Sequence, residues 1–136
     1  YLNAHNPEGR LTDCELWPLD FLQNMKIFER VFEEHPDVRH IITFISRAHV
    51  ISDWMEIRGV KDKKLLGFDM LQANMRALKN GTISTLIAER TDKEAFKAIK
   101  ALIDFLVLRQ KPAQRDNYSS LDILTRYNVD FYLVED

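Results

Sequence analysis

The chain has 136 residues, 46% hydrophobic and 29% charged, with 19 basic against 21 acidic side chains and a formal net charge of -2. A chain of this length buries roughly two thirds of its unfolded surface, so a core forms without disulfide or metal staples. The interspersed charges leave no basic run with which to grip nucleic acid, and no apolar run is long enough to span a membrane.

Tyr1–Gly9 reads as the tail of a helix closed by Pro7 and Gly9. Arg10–Trp17 alternates as a strand, with Leu11, Cys14 and Leu16 apolar, and Pro18 ends it. Cys14 is the only cysteine, cannot form an internal disulfide, and is expected as a small packed side chain. The next segment places Phe21, Met25, Phe28 and Phe32 on one helical stripe, which Pro36 stops. Arg39–Ile45 is a short β-branched and aromatic run, expected as a buried strand. A helix follows, with Ala48, Ile51, Trp54 and Met55 at helical spacing and Gly59 as its C-cap.

Lys63–Phe68 reads as a strand, and Met70, Leu71, Met75 and Leu78 form the stripe of a helix closed by Asn80 and Gly81. Thr82–Ala88 is a strand. Thr91–Lys111 carries Phe96, Ile99, Leu102, Ile103 and Leu106 on one face and stops before Pro112. Ser120–Thr125 and Asn128–Leu133 both alternate as strands. Strands and helices alternating in this way predict a three-layer α/β/α fold, with a mainly parallel sheet and right-handed crossovers. No internal repeat or long linker divides the chain, so residues 1–136 read as one unit.

In such a sheet, ligands bind beyond the carboxyl ends of the strands. The residues there are Trp17 and Asp20 after the first strand, Ser46, Arg47 and His49 after the second, Asp69 after the third, and Glu89 and Arg90 after the fourth. Several have a structural alternative. Asp69 with Gln72, and Thr91 with Glu94, match a capping box, and Ser46 suits an N-cap. Trp17 could close the core edge, and His49 could lie on a helix surface. Arg47 and Arg90 fit neither role, because the amino end of a helix does not favour a cation; each is either a solvated side chain, the safer reading for each singly, or faces an anionic or hydroxyl-rich partner.

Catalytic chemistry has little support. There is no G-x-G-x-x-G after a strand, no phosphate loop, no nucleophile elbow, and no metal spacing among His5, His35, His40 and His49. A non-enzymatic protein without cofactor or metal is expected.

The stretch HPDVRHIITFISRAHVISDWMEIRGVKDKKLLGFDML, with Gly67-Phe68-Asp69 as its most specific element, resembles the sensor domain of LacI-family transcription regulators. There it is similar to the C-terminal lobe of the type I periplasmic-binding-protein fold. TLIAERTDKEAFKAIKALIDFLV resembles the strand and helix that follow in that family. The resemblance implies a two-lobed cytoplasmic sensor that clamps a small-molecule effector, a sugar or sugar derivative, between its lobes. It implies a homodimer, with apolar positions near Trp54 and Met55 as candidates for the interface. Operator DNA would be bound only through an N-terminal helix-turn-helix absent from this stretch, and residues 126–136 would return toward an N-terminal lobe that is also absent.

Carried over residue by residue, Asp69 matches the family's ligand-contacting aspartate. Ser46 and Arg47 stand where Asn-Asp is common, and Glu89 stands where glutamine is usual. Arg47 and Glu89 change the charge that the pocket presents. The alternative implied by the same fold is a periplasmic sugar-binding protein serving a transporter or sensor system.

Overall fold

The computed structural model of the chain describes residues 5–6, 8–17, 20–112 and 114–133. The chain divides into two compact units, Tyr1–Val38 and Arg39–Asp136. The helical tail expected over Tyr1–Gly9 falls largely outside the described residues.

In the first unit, helix α1 spans Phe21–Glu34. Asp20 caps it, its Oδ1 accepting from the Gln23 N–H at 2.8 Å, and so satisfies one of the unpaired amides of the first turn. Phe28 is buried, while Met25 and Phe32 of the same stripe are half-buried. Residues 10–17 form no strand. Their alternation encodes two faces but names no partner edge, and without cross-strand bonds a strand does not form. Cys14 is accordingly exposed rather than packed. Partial burial of the thiol, with Asp13 beside it, pushes its pKa up, which disfavours a reactive thiolate.

The second unit runs β1 (His40–Ile42), α2 (Ala48–Arg58), β2 (Lys64–Phe68), α3 (Gln72–Asn80), β3 (Thr85–Ala88), α4 (Thr91–Leu106) and β4 (Asp122–Leu124), then a 3-10 turn at Val129–Phe131. The four strands form one sheet in the order β1-β2-β3-β4, the first three parallel and β4 antiparallel to β3. This is the α/β architecture with a mainly parallel sheet that the sequence predicts. Helices α2 and α3 touch each other and pack on one face of the sheet. That face supplies Leu65, Leu86 and Leu124, and the helices supply Ala48, Ile51, Met55, Met75 and Leu78, all buried. Each such large side chain contributes about 1.5–3 kcal/mol by leaving water.

Gly67 lies under the start of α2. A Cβ at this position would stand 2.4 Å from the Cβ of Ala48, so glycine is what lets the helix settle onto β2. Helices α2 and α3 end as expected, on Gly59 (φ 64°) and Gly81 (φ 90°), left-handed conformations that cost glycine nothing.

Several sequence expectations need correction. Arg39–Ile45 is not a buried strand: only His40–Ile42 pairs, Ile42 is 56% exposed and Phe44 82%. β1 is the edge of the described sheet, and alternation turns Ile42 away from the face that the helices cover. Asn128–Leu133 is no strand either. The Asn128 side chain accepts from the Thr125 N–H at 2.7 Å and donates to the Ile123 carbonyl at 3.0 Å, which turns the chain immediately after β4. The turn then packs against α3, with Val129 fully buried and Asp130 accepting from Lys79 at 2.6 Å. The stripe of α4 forms but is not buried: Phe96, Ile99, Leu102 and Ile103 are 50–69% exposed. Trp54 and Met55 are themselves core residues, while Ile57, the nearby apolar residue on the same helix, is 61% exposed.

Candidate functional site

The carboxyl ends of β1 and β2 meet around one side chain, Asn74, which is fully buried in the first turn of α3. Its Nδ2 donates to the carbonyl oxygens of Ser46 (2.6 Å), Phe68 (3.0 Å) and Asp69 (3.2 Å). Its Oδ1 accepts from the backbone N–H of His49 at 2.9 Å and lies 3.0 Å from the His49 Nδ1. One amide therefore ties the entry to α2 to the exit from β2. It brings Ser46, Arg47, His49 and Asp69, all half-buried, onto a single rim.

Asp69 has φ 69°, a left-handed conformation that a residue with a Cβ adopts at a cost. The bonds from Asn74 to the Phe68 and Asp69 carbonyls, and from the Asp69 N–H to the Ile87 carbonyl at 3.0 Å, hold it there. Such strain persists where its surroundings over-determine it and is a marker of functional positions. The Asp69 carboxylate makes no hydrogen bond or ion pair among the described residues.

The capping roles expected for Ser46, Asp69 and Thr91 are not realised. The residues at the N-cap positions are Arg47, Leu71 and Arg90, none with a side-chain cap bond. α2 and α3 start one or two residues later than the polar residue at the strand end, which puts the Ser46 and Asp69 side chains outside the first turn. Thr91 misses in the opposite sense, because it is already inside α4.

Glu89 is exposed just beyond β3. Arg90 beside it is committed elsewhere, 3.6 Å from the Asp92 carboxylate and 5.9 Å from the centre of the Tyr132 ring. Tyr132 in turn donates to Asp122 at 3.2 Å. Burial, with the hydrogen bond and charge of Asp122, raises the Tyr132 pKa. Trp17 and Asp20 belong to the other unit. Trp17 is 61% exposed, and its peptide is clamped by a second buried asparagine: Asn24 Oδ1 accepts from the Trp17 N–H and Nδ2 donates to the Trp17 carbonyl, both at 2.8 Å. An open groove of about 760 Å³ runs along α1 in that unit and takes in Trp17 alone of the expected site residues.

Sequence reasoning missed Asn74, Asn24 and Tyr132, and also the pair Phe44 and Phe68, whose ring centroids are 5.7 Å apart at the rim. The asparagines carried a signal. Asn74 lies between Leu71 and Leu78 on the apolar stripe, and Asn24 between Phe21 and Phe28. A polar residue inside a core stripe has to find partners there. Among the described residues no three His, Cys, Asp or Glu side chains gather as metal ligands, and no helix is long and apolar enough to cross a membrane.

No protein-family model and no curated protein matches the chain. Solved structures do. A Bacteroides fragilis protein assigned as a LacI transcriptional regulator matches with 36% identity and a TM-score of 0.89, over 98% of this chain and 45% of that one. The chain carries one lobe of the periplasmic-binding-protein-like fold, and it resembles the LacI family. The sugar-binding protein of a Bacillus halodurans sugar ABC transporter has the same fold, with a TM-score of 0.77 and 20% identity over 97% of this chain and 49% of that one. So does a solute-binding protein of an Agrobacterium vitis ABC transporter, bound with α-D-tagatopyranose, with a TM-score of 0.77 and 15% identity over 93% of this chain and 42% of that one. The chain spans about half the length of these proteins.

Proposed function

We propose that this chain is the effector-binding lobe of a LacI-type transcription regulator, and that its effector is a sugar or a related polyhydroxylated small molecule. The observation that carries the reading is the convergence of Ser46, Arg47, His49 and Asp69 around Asn74 at the carboxyl ends of β1 and β2. A sugar hydroxyl both donates and accepts, so it needs a rim with both kinds of partner. Asp69 offers an acceptor and Arg47 a planar donor. Glu89, on the neighbouring strand end, adds negative charge, which favours ligands that are neutral or carry an amine over acidic ones.

A lobe with half of the contacts binds weakly by itself. The exposed stripe of α4 and the half-length match to the relatives support a second lobe that covers apolar surface and completes the clamp. Ligand then favours the closed arrangement and shifts the population of a DNA-binding dimer in the cytoplasm. The fold shared with sugar-binding proteins of transporters supports one other reading, an exported binding protein that delivers its sugar to a transporter or sensor. Calorimetry of the full-length protein against neutral and acidic sugars, with operator-fragment binding measured with and without the sugar that binds, tests both. Sugar-dependent DNA affinity supports the regulator. Sugar binding without any DNA affinity supports the transport protein.

A further inference from the structure

We propose that Asn74 holds His49 in the tautomer protonated on Nδ1, leaving Nε2 as a hydrogen-bond acceptor for a ligand hydroxyl. The proposal rests on the reading of this rim as a sugar site and names one of its contacts and the residue that positions it.

The argument begins with the orientation of the Asn74 amide. One end of that amide meets three carbonyl oxygens, those of Ser46, Phe68 and Asp69. Carbonyls only accept, so that end is the NH2 group, which has two hydrogens to share among them. The other end is therefore the oxygen, and the backbone N–H of His49 already donates to it. The His49 Nδ1 sits 3.0 Å from the same oxygen. An unprotonated Nδ1 there would set lone pair against lone pair inside a buried network, so Nδ1 carries the hydrogen.

A neutral imidazole has only one N–H, and Nε2 is then a bare acceptor. A free neutral imidazole side chain prefers the opposite arrangement, with the hydrogen on Nε2, so this preference is imposed by the fold. Nε2 has no partner among the described residues. Asp53, one turn further along α2, is not hydrogen-bonded to it. The result is two acceptors, Nε2 of His49 and the carboxylate of Asp69, with the donor Arg47 on the same turn as His49. An acceptor of this kind takes the hydrogen of a ligand hydroxyl.

The test is long-range proton–nitrogen correlation NMR on full-length protein labelled with 15N-histidine, at a pH where His49 is neutral, with the His49 signals assigned from the His49→Gln variant. The expected wild-type pattern has a protonated Nδ1 and an unprotonated Nε2. In Asn74→Ala the pattern moves toward the Nε2-protonated form. Adding whichever of arabinose, galactose, ribose or tagatose binds by calorimetry shifts Nε2 in the direction of hydrogen bonding. His49→Phe weakens that sugar about tenfold, the loss expected for one hydrogen bond.

A wild-type spectrum with Nε2 protonated overturns the proposal without needing any variant to fold. The Nδ1 pattern with a sugar that binds yet leaves Nε2 unmoved overturns the contact. The Nδ1 pattern with no sugar binding at all leaves the tautomer standing and overturns the sugar reading.

Discussion

Replacing Gly67 by alanine should couple the core directly to the rim. The added Cβ would stand 2.4 Å from the Ala48 Cβ and 3.1 Å from Leu86 Cδ2. Two methyl carbons need about 3.5–4.0 Å, so the start of α2 must retreat by roughly 1–1.5 Å. Leu86 can adjust by rotation, but Ala48 is fully buried and its Cβ is fixed to the helix backbone. Overpacking of this kind costs about 1–3 kcal/mol. Asn74 pins His49 to the Phe68–Asp69 exit by bonds of 2.9 to 3.2 Å, so the retreat also stretches that network. The expected loss is therefore at the upper end, about 3 kcal/mol, read as a lower midpoint in urea unfolding with unchanged slope.

Ala48→Gly makes the missing space. In the double variant the Gly67→Ala penalty should largely vanish, giving a coupling of about 2 kcal/mol, within the range for residues in direct contact. A Gly67→Ala penalty below about 0.5 kcal/mol, or penalties that simply add in the double variant, would refute the close-approach argument.

Asn74→Leu should lower unfolding stability by about 2–4 kcal/mol, because it strands three carbonyls and one N–H without water; a near-neutral result in urea unfolding would mean the network is not formed. Asp69→Gly should be neutral or stabilising by up to about 1 kcal/mol, since glycine removes the cost of φ 69°, while sugar affinity falls; destabilisation beyond that would contradict the strain. Asp53→Asn should raise the melting temperature at pH 7. Asp53 is exposed on α2, yet partial desolvation raises its pKa; the charge of His49 opposes this and Glu56 adds to it. The folded state thus favours protonated Asp53, a contribution present below the unfolded pKa and lost as pH rises through the folded one. The gain from Asp53→Asn should accordingly close below about pH 4, and a gain that persists there would rule out ionisation as its cause.

Much of the fold was legible in the residues. The stripes of α2 and α3 and their glycine stops at Gly59 and Gly81 follow from helical period and left-handed caps, which are local. The fate of Arg10–Trp17 and of the α4 stripe was not, because alternation and amphipathicity specify a face and leave its partner open. Asn128–Leu133 misled for a third reason: its apolar alternation was overruled by a single side chain that bonds the backbone of Thr125 and Ile123. At the rim, strand order was enough to bring Ser46, Arg47, His49 and Asp69 together. It gave no indication that the helices would begin late enough to leave Ser46 and Asp69 uncapped, nor that Arg90 would turn to Tyr132. Asn74 was visible as a polar residue in an apolar stripe, but its partners lie up to 28 residues away in the chain.

The most direct test of the account is calorimetry of the full-length protein with a panel of neutral sugars, repeated for Asp69→Ala and Arg47→Ala. The account predicts that at least one sugar binds the wild type and that each substitution weakens it by about tenfold or more, as loss of a charged hydrogen-bonding partner should. A sugar that binds all three proteins equally would contradict the assignment of this rim as the ligand site.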